Sequence, residues 1–234
     1  MTSEREPGVA VTADGPYLVS GPVRITRKAV VRSAAGEALV WASPRELPPA
    51  PERADGAVRL CRCGRSASKP YCDDSHRRTG FDGTEAAEPA GPYDEHAVSL
   101  GGTGIEVRDY PRLCVGAGFC ENHAANVWDM TARTADSVVR EVAMGMVERC
   151  PSGRLTYRLA ADAPDNEPDL PVEVAAVADG PLWLTGRVPV RLTDGRELEV
   201  RNRVALCRCG ASRNKPLCDG SHARVGFRDG DPEE

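Results

Sequence analysis

Short runs of alternating apolar and polar residues mark two similar parts of the chain. Residues 13–23 have the sequence ADGPYLVSGPV, and residues 178–188 repeat it as ADGPLWLTGRV. Asp-Gly-Pro is a turn signal, and the alternation that follows it predicts a short strand in each copy. Further strands are predicted in each copy, including 38–41 and 198–200. Each copy ends in a strand that leads into a cysteine motif, so the sequence predicts one small β-sheet twice.

The pattern between the repeats is a mixture of strand and helix. Strands are predicted at 105–110 and 155–159, with a short helix that ends near Asp129. An apolar stripe at helical spacing predicts a longer helix, with Thr134 as its N-cap. The stripe consists of Val138, Val139, Val142, Ala143, Met146 and Val147.

Stretches rich in proline, alanine and acidic residues separate these parts and predict linkers. A further proline-rich stretch, 44–51, is extra to the first repeat and predicts a surface loop. The predicted fold class is α+β. The predicted domains are a first β-rich unit at 8–85, a linker at 86–100, an α+β domain at 101–159, a linker at 160–170 and a second β-rich unit at 171–230.

Composition narrows the function classes. The chain has 234 residues with only 5% aromatic residues, so no unit is expected to have a large core, and metal centres are a usual substitute. The net charge of −5 gives no basic footprint for nucleic acid. No apolar run approaches the roughly eighteen residues that cross a bilayer, and MTSEREPG is not typical of a signal peptide. We therefore expect a cytoplasmic protein that binds neither membrane nor nucleic acid.

The nine cysteines form three groups of three. An odd number, and a cytoplasmic setting, disfavour a disulfide framework. The outer groups each belong to a Cys-x-Cys-x8-Cys-x3-His pattern, in which Asp73 or Asp219 can cap a short helix that carries the histidine. Three thiolates and one imidazole suit a 2Fe-2S cluster or structural zinc, and the tight Cys-x-Cys spacing favours iron-sulfur. The candidate ligands are Cys61, Cys63, Cys72 and His76 in the first motif and Cys207, Cys209, Cys218 and His222 in the second.

Both motifs resemble the CDGSH iron-sulfur family, to which mitoNEET belongs. The second copy matches every position of the family pattern, including Asp219, Gly220 and Ser221, whereas Asp74 replaces the glycine in the first. The resemblance implies one 2Fe-2S cluster at each motif. It also implies that the two units pair through their strands about an approximate twofold axis; two independent units are the alternative.

The middle group, Cys114, Cys120 and Cys150, differs from a usual 4Fe-4S motif because Ala117 occupies a cysteine position. Three thiolates match a 3Fe-4S cluster; a 4Fe-4S cluster with His123 or water as an outside ligand, and zinc, are alternatives. The stretches CVGAGFC and CPSGRLTY resemble single-cluster bacterial ferredoxins and divergent mono-cluster domains. Gly116 and Gly118 permit close approach of backbone amides to a cluster.

Several other residues have two interpretations each. A cation before the motif proline or between the ligand cysteines could offset cluster charge, or it could be a solvated surface charge. These cations are Lys69, Lys215, Arg62 and Arg208. His96 is interpreted as a surface or edge residue, and His123 as a helix-surface residue unless it is the outside ligand.

These interpretations predict an electron-transfer protein and no catalytic site of its own. Its partners would be a reductase and an acceptor oxidoreductase, and the chain would be a monomer with an internal pseudo-dimer. Cluster donation, or redox or iron sensing with pH-labile clusters, is the alternative because histidine ligands titrate. A colourless zinc scaffold is the third possibility.

Overall fold

The computed structural model describes residues 6–53, 56–87 and 92–230, and these contain both strands and helices, as the α+β prediction requires. In chain order the strands are β1 (Gly8–Val11), β2 (Tyr17–Ser20), β3 (Arg24–Lys28), β4 (Val30–Arg32), β5 (Ala38–Trp41), β6 (Arg45–Glu46), β7 (Val58–Leu60), β8 (Val98–Gly101), β9 (Glu106–Asp109), β10 (Leu155–Arg158), β11 (Glu173–Val177), β12 (Leu182–Thr185), β13 (Val190–Arg191) and β14 (Arg203–Leu206). The α-helices are α1 (Tyr93–His96), α2 (Val127–Thr131), α3 (Ser137–Glu148) and α4 (Ser221–Arg224), and 3-10 helices cover Ser75–Arg77 and Pro111–Leu113.

The two repeated parts exchange strands. One sheet has the order β13-β1-β2-β7, and another has the order β14-β12-β11-β3-β6. Strand β1 pairs in parallel with β13, and β11 pairs in parallel with β3. Since β1 and β11 precede the repeated Asp-Gly-Pro turn and β3 and β13 follow it, each repeat donates its third strand to the sheet of the other.

A single apolar core lies between these sheets. It contains buried residues from both repeats, among them Tyr17, Leu60, Leu184 and Leu206. Alternating residues of the short strands supply this face, which is the periodicity expected of half-buried strands. The exchange also buries Glu173 of β11. Its carboxylate accepts a hydrogen bond from the Thr26 hydroxyl at 2.8 Å and forms an ion pair with Lys28 at 2.6 Å, and both partners belong to β3. The two repeats therefore share both core and buried polar contacts.

The middle part of the chain has its own sheet, β10-β9-β8, with α3 packed on it. The predicted N-cap was wrong: the Asp136 side chain accepts a hydrogen bond from Val138 N, whereas the buried Thr134 hydroxyl accepts from Thr103 N at 2.6 Å. The apolar stripe was partly wrong, because Ala143, Met146 and Val147 are buried but Val138 is 67% exposed and Val142 is 44% exposed. The helix is rotated so that its buried face is narrower than the stripe.

Three other expectations changed. No strand forms at 198–200. The Leu198 amide donates one backbone hydrogen bond to β13, and the Glu199 carboxylate then accepts a hydrogen bond from Tyr93 N of α1. The predicted linker 86–100 contains α1 and most of β8, with Tyr93 buried. The mostly exposed stretch 44–51 contains β6, which pairs with β3. Within the described residues, no helix is long and apolar enough to span a bilayer.

Candidate metal centres

Two pairs of donor atoms form the first outer site. Strand β7 ends at Leu60, so it delivers Cys61 and Cys63, whose sulfurs lie 3.8 Å apart. The 3-10 helix Ser75–Arg77 carries His76, and its Nδ1 lies 3.5 Å from the Cys72 sulfur. The imidazole therefore presents Nδ1 to the thiols.

The second outer site repeats this geometry. Strand β14 leads to Cys207 and Cys209, with sulfurs 3.8 Å apart, and His222 on α4 places Nδ1 3.4 Å from the Cys218 sulfur. In both motifs the serine hydroxyl closes the ligand loop by donating to a backbone carbonyl: Ser66 to Tyr71, and Ser212 to Leu217.

The distances between the donor atoms distinguish a site for one metal ion from a site for a two-metal cluster. A tetrahedral zinc with Zn–S bonds near 2.3 Å brings all its sulfur donors to about 3.8 Å from one another. Within the described part of the chain, Cys72 and His76 form a group of three donors within 4.8 Å of one another only with Asp74, which is not a predicted ligand, and no three of the four predicted donors of either outer site lie that close. Each site thus has two donor pairs, each spaced for one metal, as a two-iron cluster with two terminal ligands on each iron requires.

The helix that carries each histidine begins one residue later than the sequence predicted, because its N-cap is Asp74 or Gly220, and neither residue makes a side-chain cap hydrogen bond. Asp73 Oδ1 accepts from Ser75 N at 3.0 Å, and Asp219 Oδ1 accepts from Ser221 N at 2.9 Å. The next residue has a left-handed backbone in both copies, with φ of 65° at Asp74 and 79° at Gly220. The first site therefore keeps the backbone conformation of the second, although Asp adopts it less readily than Gly.

One thiol of each tight cysteine pair has a lowered pKa, whereas burial raises the pKa of Cys72 and Cys218. The hydrogen bond from Cys63, together with backbone amides, lowers the pKa of Cys61 to about 6 against the effect of burial. The hydrogen bond from Cys207 likewise lowers the pKa of Cys209 to about 7. Burial and the nearby Arg208 charge lower the pKa of His222, so its imidazole is neutral and can donate a lone pair. Each tight cysteine pair readily supplies a thiolate, the form that binds metal.

The arginines between the ligand cysteines are buried, not solvated. Arg62 and Arg208 are each only 1% exposed. Arg62 donates to the carbonyls of Thr12 and Gly83 at 3.1 and 2.6 Å. They fix the loops around the ligands and place positive charge inside the protein next to the thiolates. Sequence reasoning left this open because the acceptors are distant in the chain.

The two lysines before the motif prolines make different contacts, one within its own loop and one with the end of the first segment. Lys69 Nζ donates to the Ser66 carbonyl at 2.7 Å, within its own loop. The Lys215 carbonyl accepts from the amides of Ala86 and Ala87 at 2.8 Å. These contacts hold the loop and involve neither histidine.

The middle cysteines lie around a cavity of about 290 Å³ lined by Cys114, Cys120 and Cys150. Gly116 and Gly118 also line it, with φ of 73° and 86°, and a Cβ built on Gly116 would meet nothing within 4 Å. Burial, followed by the charge of Cys150, raises the pKa of Cys120 to about 11. The cavity thus brings the three predicted thiols of the middle group to one place, where they could act as ligands of an iron-sulfur cluster.

A charged network that the sequence reasoning missed supports this cavity. Arg154 lines it and forms a two-pronged pair with Asp109, with N–O distances of 2.6 and 2.8 Å. Trp128 Nε1 donates to the same carboxylate at 3.0 Å. The Asp109 bond, and contact with Cys114, raise the pKa of Arg154. The sequence feature that could have indicated this network is the position of Arg154, four residues after the candidate ligand Cys150.

The two remaining histidines lie away from the donor sets. His96 is exposed and stacks on Tyr110, as expected of a surface residue. His123 precedes α2 instead of lying on it, and its side chain is 83% exposed with Nδ1 2.7 Å from Glu37 Oε1. His123 is not among the residues that line the cysteine cavity, and its ring pairs with Glu37 instead.

All nine cysteines lie in the described residues, and none forms a disulfide there. Comparison with family models found two matches to "Iron-binding zinc finger CDGSH type", at residues 14–77 and 179–223. The model "Divergent 4Fe-4S mono-cluster" matches residues 100–160. Searches of curated proteins and of solved structures gave no match. The chain is thus an iron-sulfur protein in which two CDGSH-type segments flank a divergent mono-cluster domain.

Proposed function

We propose that this protein transfers single electrons between a reductase and a partner oxidoreductase in the cytoplasm. The observation that supports the proposal is that every cysteine belongs to one of three groups whose members the structure places together, and none is in a disulfide among the described residues. The outer sets would hold 2Fe-2S clusters through the ligands predicted from the sequence. When bound, such clusters accept and release one electron at a time, and the protein supplies ligands, burial and nearby charge.

The two CDGSH segments are proposed to form an internal pseudo-twofold dimer. Support comes from the reciprocal strand exchange and from contact between the ligand loops themselves. Cys63 forms a β-bridge with Cys209. A Cβ on Gly64 would lie 2.5 Å from the Cys209 carbonyl oxygen, and one on Gly210 would lie 2.7 Å from that of Cys63. Such matched close approach is what a twofold axis between the loops produces.

We propose a 3Fe-4S cluster for the middle site. Its support is that Ala117, which has no donor atom, lies at the cavity in place of a fourth cysteine. The test is Ala117→Cys. If the native cluster is 3Fe-4S, the variant gains about one iron and the EPR signal of the oxidised three-iron cluster disappears. If the native protein and the variant both held four irons at the middle site, the native site would already hold a 4Fe-4S cluster. Ala117→Val, which adds side-chain bulk at the same position but no donor atom, is the control.

Electron transfer is tested by anaerobic reduction with a ferredoxin reductase, followed by reoxidation with a one-electron acceptor. We expect all three clusters to cycle without loss of iron. Clusters that remain oxidised with every reductase would contradict the proposal.

Cluster donation remains the second candidate because His76 lines an open cleft of about 660 Å³. The imidazole itself is only 9% exposed, so a partner would approach it through this cleft. Transfer of intact 2Fe-2S to an apo-ferredoxin, faster than chemical loss of the cluster, would favour donation over electron transfer.

A further inference from the structure

The middle site contacts the second CDGSH site through the loops that carry their ligands. Val115 follows Cys114 directly, is 4% exposed, and packs against the buried Cys218. Gly220 lies between Cys218 and His222, and a Cβ on it would be 3.4 Å from the Val115 carbonyl carbon and oxygen. Ligand loops from the two sites are therefore in van der Waals contact.

The first CDGSH site lacks this contact. Its matching turn residue is Asp74, which lines the open cleft together with His76 and Phe81. None of the residues that line this cleft comes from the mono-cluster domain at 100–160. The mono-cluster domain therefore faces the second site, and solvent faces the first.

Arg203 of β14 fixes this arrangement. Its side chain is fully buried, and Nη1 donates to the carbonyls of Val147 and Cys150, both at 2.8 Å. It also pairs with Glu167 at 2.7 Å. Since Cys150 is a candidate ligand and β14 leads directly to Cys207, one side chain ties the two sites together. The first segment has Ala57 at the matching position.

We infer that the Val115–Cys218 contact makes the middle and second sites the directly coupled redox pair, and that the first site communicates with the middle one only through the second. The inference rests on the proposed electron-transfer function. In the coupled step one electron leaves one site and enters the other, so one is oxidised and one is reduced by the same amount, with no bond made or broken. Tunnelling rates fall steeply with distance, which favours loops in contact.

The experiment is EPR of the fully reduced, full-length protein, with Cys72→Ala and Cys218→Ala as a matched pair that each removes one equivalent ligand. A neighbouring paramagnetic cluster speeds spin relaxation. We expect two 2Fe-2S signals, which influence each other equally through the Cys63–Cys209 contact, and of which the one next to the middle cluster is the fast-relaxing signal. Cys218→Ala should remove the fast-relaxing signal, and Cys72→Ala should leave it. Loss of that signal in Cys72→Ala, or equal relaxation of both signals in the native protein, would overturn the inference.

A second variant tests the contact itself. Val115→Ala should slow relaxation of the second signal, with iron content unchanged. Trp41→Leu is the control, because Trp41 forms a separate contact with the mono-cluster domain, with its ring centre 4.9 Å from that of Phe119. If Trp41→Leu and not Val115→Ala changed relaxation, the route would lie through the aromatic rings. These measurements need no reductase. The coupling between the middle and second sites can therefore be refuted while electron transfer with partners is observed, and it can be observed while electron transfer with partners is refuted.

Discussion

The first and second CDGSH segments hold the same ligands in different electrostatic surroundings. In the first, the buried Arg62 guanidinium donates to backbone carbonyls, and among the described residues it forms no ion pair. In the second, the matching Arg208 pairs with the buried carboxylate of Asp229 at 2.7 Å. Asp229 also binds Arg27 of the first segment. Ligand identity alone therefore does not define the setting of a cluster.

A glycine accounts for the difference. Gly83 matches Asp229 in position, and its amide donates to Asp14 as the amide of Asp229 donates to Asp179. A Cβ on Gly83 would lie 2.7 Å from Arg62 Nη1 and 3.0 Å from the Asp14 Cα. The first segment thus has no room for the carboxylate that neutralises the second.

The largest expected effect comes from Arg203, which anchors only the second segment to the mono-cluster domain. Arg203→Met leaves buried carbonyls and Glu167 without their partner, and we expect a loss of about 3–5 kcal/mol in unfolding free energy. Urea unfolding measures it. Arg191→Met is the control, since its pair with Glu197 is exposed and should be worth less than about 1 kcal/mol. Equal losses would contradict the asymmetry.

Asp229→Asn should destabilise the protein by about 2–3 kcal/mol, because two buried arginines lose a charged acceptor. Burial acts to raise the pKa of Asp229, but the Arg27 bonds and the Arg208 charge outweigh it and lower the pKa to about 2. A depressed folded-state pKa means that this stabilisation is complete above the unfolded value of about 4 and is lost as pH falls toward 2.

The stability difference between the native protein and Asp229→Asn should therefore shrink between about pH 4 and pH 2. Thermal unfolding at several pH values measures this difference. A difference that stayed constant as the pH fell would exclude the charge as its source.

Tyr17→Phe tests a contact that only the second site has. The buried Tyr17 hydroxyl, from the first segment, donates to the Cys207 carbonyl at 2.8 Å, and Leu182 occupies the matching position of the second. Loss of the hydrogen bond should lower the free energy of unfolding by about 1 kcal/mol. We expect the visible or Raman spectrum of the second cluster to shift. The spectra of Cys72→Ala and Cys218→Ala, each of which lacks a ligand of one outer cluster, assign the bands to the two clusters. A shift confined to the first cluster would be the contrary result.

The smallest effect is expected at the turn before each histidine. Asp74→Gly should stabilise the protein by about 0.5–1 kcal/mol, because glycine adopts φ near 65° at lower cost. Gly220→Asp should do the opposite. If Asp74→Gly instead destabilised the protein, the carboxylate's weak approach to Arg53, at 3.9 Å, would outweigh the backbone strain.

Local sequence carried much of the site. The Cys-x-Cys-x8-Cys-x3-His spacing and the short-range hydrogen bonds of Asp73 and Asp219 were predictable because they span a few residues, although the N-caps are the next residues, Asp74 and Gly220. The Tyr17–Cys207 bond and the Arg27–Asp229 pair join residues 190 and 202 positions apart, and no local pattern encodes them. The exposure of Val138 on α3 depends on the rotation that docking imposes on the helix. Tertiary packing decided those features.

Iron and acid-labile sulfide analysis, with zinc measured in the same anaerobic preparation, tests the central claim that paired donors hold two-metal clusters. The account predicts about seven irons and about eight sulfides per chain, with negligible zinc. Zinc in place of iron at the outer sites, without sulfide, would contradict it.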